Sequence, residues 1–284
     1  MRIHVLGASG FIGGQILQHC ADRKYQVKGY SSRACNLLSS GSIRESLLVE
    51  PDDVVVVASA VTRTRQKSSG PVQDNFLMAL RLAEFISDTQ IGLLIYLSST
   101  DVYGTAVAGE IHEELPLNPG DSYSCSKLFG EVVLREACYK HDIPIMILRL
   151  TGIYGQTDMG MSTIGKLIES ARSHNRINIF GDGEDRRDYV HVNNVCQLIE
   201  YSIEACETGV LNVATGTSYS VNQIVDMISE LNPKDFSIVY DDGERTAIQR
   251  NQSMDYNTSL LVKTFPSFLP IALFEGLKLY LKES

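Results

Sequence analysis

The sequence predicts an α/β fold, with a doubly wound parallel sheet followed by a smaller mixed α/β lobe. Three features point to it. Apolar runs of strand length alternate with segments of helical period through the first half of the chain. The valine run at residues 54–57 has the composition of a strand covered on both faces. The apolar run at residues 3–6 passes directly into Gly7-Ala8-Ser9-Gly10-Phe11-Ile12-Gly13, a glycine-rich turn that opens a helix. Alternation of this type builds parallel βαβ units with helices on both faces of the sheet.

The elements follow in order. Residues 3–6 form the first strand. Phe11, Ile12, Ile16, Leu17 and Cys20 then recur at helical spacing. Residues 25–30 read as a second strand, and a loop with a short helix near 42–49 leads to the strand at 54–58. A helix over 72–88 gathers Phe76, Leu80 and Ala83 on one side. Strand 93–97, a long helix over 123–141 and strand 145–150 complete the first half. From Gly155 the pattern loosens. Helices near 162–173, 192–204 and 221–231 are separated by turns rich in Gly, Asn and Asp. The expected division is residues 1–160, taking in about 188–214, with 161–284 as the second lobe.

At 284 residues the chain can bury one large core or two modest ones. Its net charge of −9, with no basic run, argues against nucleic acid and anionic membranes as partners. No stretch approaches the roughly 18 uninterrupted apolar residues of a membrane span. The opening MRIHVLGASG lacks the shape of a secretory leader, so a cytoplasmic protein is expected. Cysteines at 20, 35, 125, 138, 196 and 206 form no CxxC pair and no grouping of zinc-ligand spacing, so reduced thiols and no metal are expected.

The glycine loop has the chemistry of a Rossmann-type dinucleotide site. Gly7 permits the tight turn, Gly10 lets backbone approach a pyrophosphate, and Gly13 lets the helix pack closely on the sheet. The helix N-terminus then presents free N–H groups to the phosphates. Ser9, Phe11, Ile12 and Ala58 belong to the same expected site. An NAD site usually places a carboxylate about 20 residues past the glycines, on the ribose 2′-hydroxyl. This chain has no Asp or Glu between Gln26 and Arg44, and offers Ser31, Ser32 and Arg33 instead. Two hydroxyls and a guanidinium suit a 2′-phosphate, which favours NADP. NAD stays open, with a serine on the 2′-hydroxyl and Arg33 in solvent.

Tyr123-Ser124-Cys125-Ser126-Lys127 supplies proton chemistry. Four residues apart on a helix, Tyr123 and Lys127 share a face. A free phenol titrates near 10, and a neighbouring ammonium lowers it. Lys127 can also hold the nicotinamide ribose, so both residues count toward the cofactor site. Ser99, at the end of a central strand, can polarise a carbonyl or alcohol.

These segments, with 97–104 (LSSTDVYG), 148–155 (LRLTGIYG) and 187–192 (RDYVHV), resemble the successive signatures of the extended short-chain dehydrogenases/reductases. The most similar group is the NAD(P)-dependent nucleotide-sugar epimerases, dehydratases and 4-ketoreductases. The resemblance covers nearly the whole chain. It implies a catalytic set of Ser99, Tyr123 and Lys127 and a nucleotide-diphosphate sugar as substrate. It implies that Thr100 also lies at the substrate, that Arg187 binds the diphosphate with Arg245 as a second arginine, and that Asn178 and Ile179 lie near the base. Arg186 competes with Arg187, which could instead pair with Asp185 or Asp188. The stretch 212–216 (NVATG) reads as structural, a strand end closing the second lobe. Dehydratases of this group carry an Asp-Glu pair where this chain has Thr100 and Asp101, so 4,6-dehydration is not expected. Gly152 stands where the group often has Asn. The short segment before Val54 resembles the NADPH-dependent 4-ketosugar reductases. The resemblance also implies a homodimer through helices 72–88 and 123–141. The expected reaction is NAD(P)-dependent 4-keto reduction of a nucleotide-linked hexose. The alternatives are 4-epimerisation with retained NAD, and a dinucleotide sensor or scaffold with no catalysis.

Overall fold

The computed structural model describes residues 1–63, 71–104, 109–158, 160–232, 235–241 and 254–282. The chain divides into two compact units. The first holds Met1–Gly104, Pro116–Leu150 and Cys196–Leu211, and the second Thr105–Leu115, Thr151–Val195 and Asn212–Ser284. The contiguous run of the first unit therefore stops at Leu150 rather than near 160.

In the first unit the chain runs through β1 (Ile3–Leu6), α1 (Phe11–Asp22), β2 (Val27–Tyr30), α2 (Ser40–Ser46), β3 (Val54–Val57), α3 (Asp74–Ser87) and β4 (Leu93–Ser99). A single 3-10 turn, Thr100–Tyr103, is followed by α4 (Ser122–Lys140) and β5 (Ile145–Leu150). Strand β9 (Gly209–Val213) completes a six-stranded sheet of order β2-β1-β3-β4-β5-β9. Residues 212–213 thus end the large sheet's edge strand and do not close a sheet of the second unit. The pairs β1–β2, β1–β3, β3–β4 and β4–β5 are all parallel, with Ile3 opposite both Val27 and Val54. Every residue of β1, β3 and β4 is buried, as expected of strands covered on both faces. On one face Leu6, Val57, Leu94 and Ile147 meet Leu82, Phe85 and Ile86 of α3 and Leu134 and Cys138 of α4. The order reverses between β1 and β3, which makes the crevice at their carboxyl ends the expected ligand position.

A buried ion pair fixes α4 to this sheet. Arg149 of β5 donates from Nη2 and Nε to Glu131 at 2.7 and 3.0 Å, and from Nη1 to Tyr103 Oη at 2.7 Å. Ser98 Oγ donates to the same Glu131 carboxylate.

The second unit contains β6 (Gly152–Tyr154), α5 (Thr163–His174), β7 (Arg176–Phe180), β8 (Arg186–His191) and the start of α6 (Val192–Ala205). It continues with β10 (Ser218–Ser220), α7 (Val221–Leu231), β11 (Ser237–Asp241), α8 (Ser259–Thr264) and α9 (Leu273–Lys282). β10, β8 and β6 form one small sheet, and β11 pairs in parallel with β7. Ile164, Ile168, Ile177, Ile224, Ile228 and Leu277 lie at the centre of this unit's own core. Helical periodicity locates α5, α6 and α7 to within a residue or so. The short strands carry too few residues for a period-2 signal. Among the described residues no helix is long and apolar enough to cross a membrane.

His191 ends β8 fully buried, its ring edge-on to Tyr154 at 5.2 Å. Its Nδ1 accepts the Asn193 amide, which places the proton on Nε2, and Nε2 has no hydrogen-bond partner among the described residues. Burial holds this imidazole down to about 4. Between pH about 6.5 and 4 the unfolded chain therefore takes up a proton that the folded chain refuses, and stability falls with pH through that window. This one group accounts for roughly 3 kcal/mol. Urea unfolding at pH 7 and pH 4.5 should show a smaller acid loss in His191→Leu than in the parent chain. Equal losses would remove His191 from the account.

Candidate active site

The crevice at the order reversal is a cleft of about 280 Å³. Leu6, Gly7, Ser9 and Gly10 form one wall, Ala58, Ser59, Ala60 and Val61 another, and Tyr30, Ser31 and Ser32 the end of β2. Gly7 has φ +87°, and a Cβ there would sit 2.8 Å from Ser59 backbone, so glycine is required on both counts. The Gly7 and Ala8 amides both donate to the Tyr30 carbonyl, at 2.9 and 3.1 Å, tying the loop to β2. A Cβ at Gly13 would meet the Gly7 carbonyl at 2.2 Å, so helix and turn touch. Helix α1 begins at the extended residue Gly10 with no side-chain cap. The amides of its first turn, at the half-buried Phe11 and Ile12, are thus left for an outside acceptor. These features fit a dinucleotide diphosphate.

Arg33 is not among the cleft-lining residues. Ala34 and Cys35 amides donate to the Ser31 carbonyl, and the resulting turn leaves Arg33 exposed. Ser31 and Ser32 do line the cleft, as do Asn36, Leu37 and Leu38, the Asn-Leu stretch that the ketoreductase resemblance places after the cofactor loop; Cys35 and Asp74 line it too, and no sequence signal marks them.

Tyr123 and Lys127 stand on the first turns of α4. Asp121 caps this helix, accepting the Ser124 amide at 2.8 Å in a reciprocal capping box. Lys127 is 4% exposed and donates from Nζ to the Leu97 carbonyl at 2.7 Å. Its ammonium lies 6.0 Å from the Tyr123 ring centre and 5.1 Å from that of Tyr96. Burial pulls the Lys127 amine down to about 8, against the opposing pull of Glu131. A small cavity of about 10 Å³ is lined by Lys127, Tyr96 and Asn75 and shares Leu37, Ser59 and Met78 with the cleft. Ser99, at the end of β4, accepts the Asp101 amide on Oγ at 3.2 Å. Thr100 is buried and donates to the Leu150 carbonyl at 3.3 Å.

Arg63 is the residue the sequence analysis misses. On the loop after β3, its guanidinium lies 4.6 Å over the Tyr123 ring centre. It donates from Nη1 to Asp101 at 2.7 Å and from Nε to Asp121 at 2.5 Å. Burial raises the Asp121 carboxyl, but its bonds from Arg63 and Ser124 outweigh that and bring it to about 2. The Tyr123 phenol goes the other way from the expected lowering. Burial raises it, Asp101 raises it further, Arg63 lowers it and Asp121 adds a smaller rise, so it stands above the ordinary tyrosine range.

In the second unit, Asn178 is exposed on β7 and accepts from Arg176 Nε at 2.7 Å. Ile179, expected near a base, is 2% exposed and belongs to the unit's core, because strand alternation turns it inward. Arg186 is committed to Ser218 and Gln223, whereas Arg187 is exposed. Asp188 accepts from the Thr215 hydroxyl and amide and the Gly216 amide at 2.7–3.0 Å, so it is spent on that loop. A Cβ at Gly152 would meet the Tyr189 ring at 2.9 Å, which explains glycine there. Arg245 lies outside the described residues. Among the described residues no group of three or more His, Cys, Asp or Glu side chains is placed to hold a metal ion.

The chain is 24% identical over 254 residues to the low-salt glycan biosynthesis protein Agl12 of Haloferax volcanii, covering 81% of this chain and 82% of that protein. It is 28% identical over 251 residues to a UDP-glucose 4-epimerase of Mycolicibacterium smegmatis, covering 79% and 80%. Its fold is similar to that of MoeE5 solved with UDP-glucose and NAD, with a TM-score of 0.83, 22% identity, and 99% and 98% of the two chains covered. With the family pattern matched across residues 3–214, the chain belongs to the NAD dependent epimerase/dehydratase family.

Proposed function

We propose that this enzyme carries out NAD(P)-dependent oxidoreduction at C4 of a nucleotide-diphosphate sugar, with 4-keto reduction as the net reaction. The observation that carries the reading is Tyr123 and Lys127 on one capped helix, with Lys127 lining a small cavity that shares Leu37, Ser59 and Met78 with the dinucleotide cleft. A nicotinamide in the cleft would exchange a hydride with the sugar carbon. Tyr123 gives its phenolic proton to the sugar oxygen in reduction and takes one back in oxidation. The Ser99 hydroxyl donates to the same oxygen. The Lys127 ammonium stabilises the phenolate left behind. A phenol held above its ordinary range stays protonated at neutral pH, the form reduction requires. We assign Arg187, with Arg245, to the diphosphate and Asn178 to the base side of the nucleotide.

Removal of water is not favoured. Position 100 is a threonine bonded to a carbonyl, and Asp101 is held by Arg63. Ser31 and Ser32 at the cleft, with no carboxylate at the end of β2, support NADPH over NADH. The relative that is a UDP-glucose 4-epimerase supports the second reading, 4-epimerisation with retained NAD. A homodimer through α3 and α4 is supported by their exposed apolar residues Leu77, Leu80 and Val132.

Nucleotide sugars and their 4-keto derivatives, offered with NADPH and NADH, should give loss of reduced-cofactor absorbance with NADPH preferred. Tightly held NAD and C4 inversion without NADPH consumption would establish the epimerase instead. Tyr123→Phe should lower turnover by about 10²–10⁴-fold with cofactor binding retained. Undiminished turnover would end Tyr123's role, and a chain with no turnover on any substrate would be the sensor. Gly7→Val should abolish dinucleotide binding, read by fluorescence titration with NADPH. On size exclusion, Leu80→Glu should shift a dimeric parent to monomer.

A further inference from the structure

Arg63 ties together three separate segments that converge on Tyr123. Its own loop follows β3. Asp101 stands on the 3-10 turn after β4, its amide bonded to Ser99, and Asp121 caps the helix that carries Tyr123 and Lys127. One cation thus faces two carboxylates while its central carbon lies 4.6 Å from the centre of the phenol ring, within cation–π reach. Capping cannot be its purpose, since the Ser124 amide and hydroxyl already engage Asp121 Oδ1 while Arg63 uses Oδ2.

We propose that Arg63 is a positioning residue of the reaction, which seats the Tyr123 ring and cancels the charge of Asp101 and Asp121 where Tyr123 transfers its proton. This rests on the reading of Tyr123 as the proton-transfer group. Among the described residues, the charged and titratable groups facing Tyr123 are Arg63 from the β3 loop, Asp101 from the 3-10 turn, Asp121 and Lys127 from α4, and Tyr96 from β4. Lys127 is 6.0 Å from the ring centre and bonded to a carbonyl, so Arg63 is the nearer cation at 4.6 Å. Without Arg63, two uncompensated carboxylates hold the phenol proton more tightly and proton donation slows. Without Asp101, Arg63 is partly unopposed and the phenolate forms more readily. Arg63 is about half exposed, with its side chain at 46%, so added salt screens the effect.

The opposed signs make the test. Tyrosinate absorbance of the full-length chain is titrated with pH, and the Tyr123→Phe curve is subtracted to isolate Tyr123. The Asp101→Asn curve should move to lower pH by about one unit, a tenfold change in proton affinity. Arg63→Gln/Asp101→Asn should return toward the parent. With NADPH and a dTDP-linked 4-keto-6-deoxyhexose as probe, Arg63→Gln should lose about tenfold in kcat. KM should be nearly unchanged, Arg63→Lys should restore part of the loss, and the double variant should be faster than Arg63→Gln alone. Circular dichroism confirms that each variant is folded. An unmoved Tyr123 titration in Asp101→Asn, or a double variant slower than Arg63→Gln, would overturn the proposal and leave Arg63 a purely structural tie. Absence of turnover with any keto sugar would count against the reductase reading, while the tyrosinate titration would still decide the role of Arg63.

Discussion

The fork of Arg149 onto Glu131 holds the candidate site in place. Both residues are almost wholly buried, and the pair is completed by Ser98 and Tyr103. A buried ion pair contributes little net stability, because desolvation offsets its attraction. Removing one partner strands the other, at a cost of about 3–5 kcal/mol. What the pair fixes is location. Glu131 lies one helical turn beyond Lys127, and Arg149 and Ser98 belong to the adjacent strands β5 and β4. Helix α4 can therefore neither slide nor roll on the sheet without breaking charge-assisted bonds. Its negative end also opposes the burial that would otherwise neutralise Lys127.

The site elements of the first unit sit where strand order and chain length require. The segment between β2 and β3 contains only a short helix, so no strand is added outside β2 and the order becomes β2-β1-β3-β4-β5-β9. The reversal between β1 and β3 opens a crevice, and Gly7 sits at its bottom against Ser59. The polar lining at the end of β2 follows from this arrangement, whereas burial and Asp101 keep Tyr123 protonated. Both are electrostatically compatible with an NADPH-dependent reduction.

Legibility differed from residue to residue for physical reasons. The glycine spacing in the first loop reflects steric demands that are local, so it could be read directly. Tyr123 and Lys127 were legible because four residues make one helical turn. Arg63 was not, since it sits in a polar loop segment with no period, and its meaning lies in carboxylates 38 and 58 residues away. The exposure of Arg33 outside the cleft lining was left open by the sequence, because residue type says nothing about which corner of a turn meets solvent. Ile179 was misplaced because a five-residue strand sets inside from outside by register alone.

By itself the sequence determined the α/β alternation, the glycine turn and the helix that presents a phenol and an amine together. Each of these is a short-range property, encoded within a few residues by sterics, period and charge. Only the tertiary structure decided which cation meets Tyr123, that Lys127 answers a backbone carbonyl, and that Arg186 is spent while Arg187 is exposed. Those outcomes depend on where distant loops converge, and on the balance of burial against charge that convergence creates.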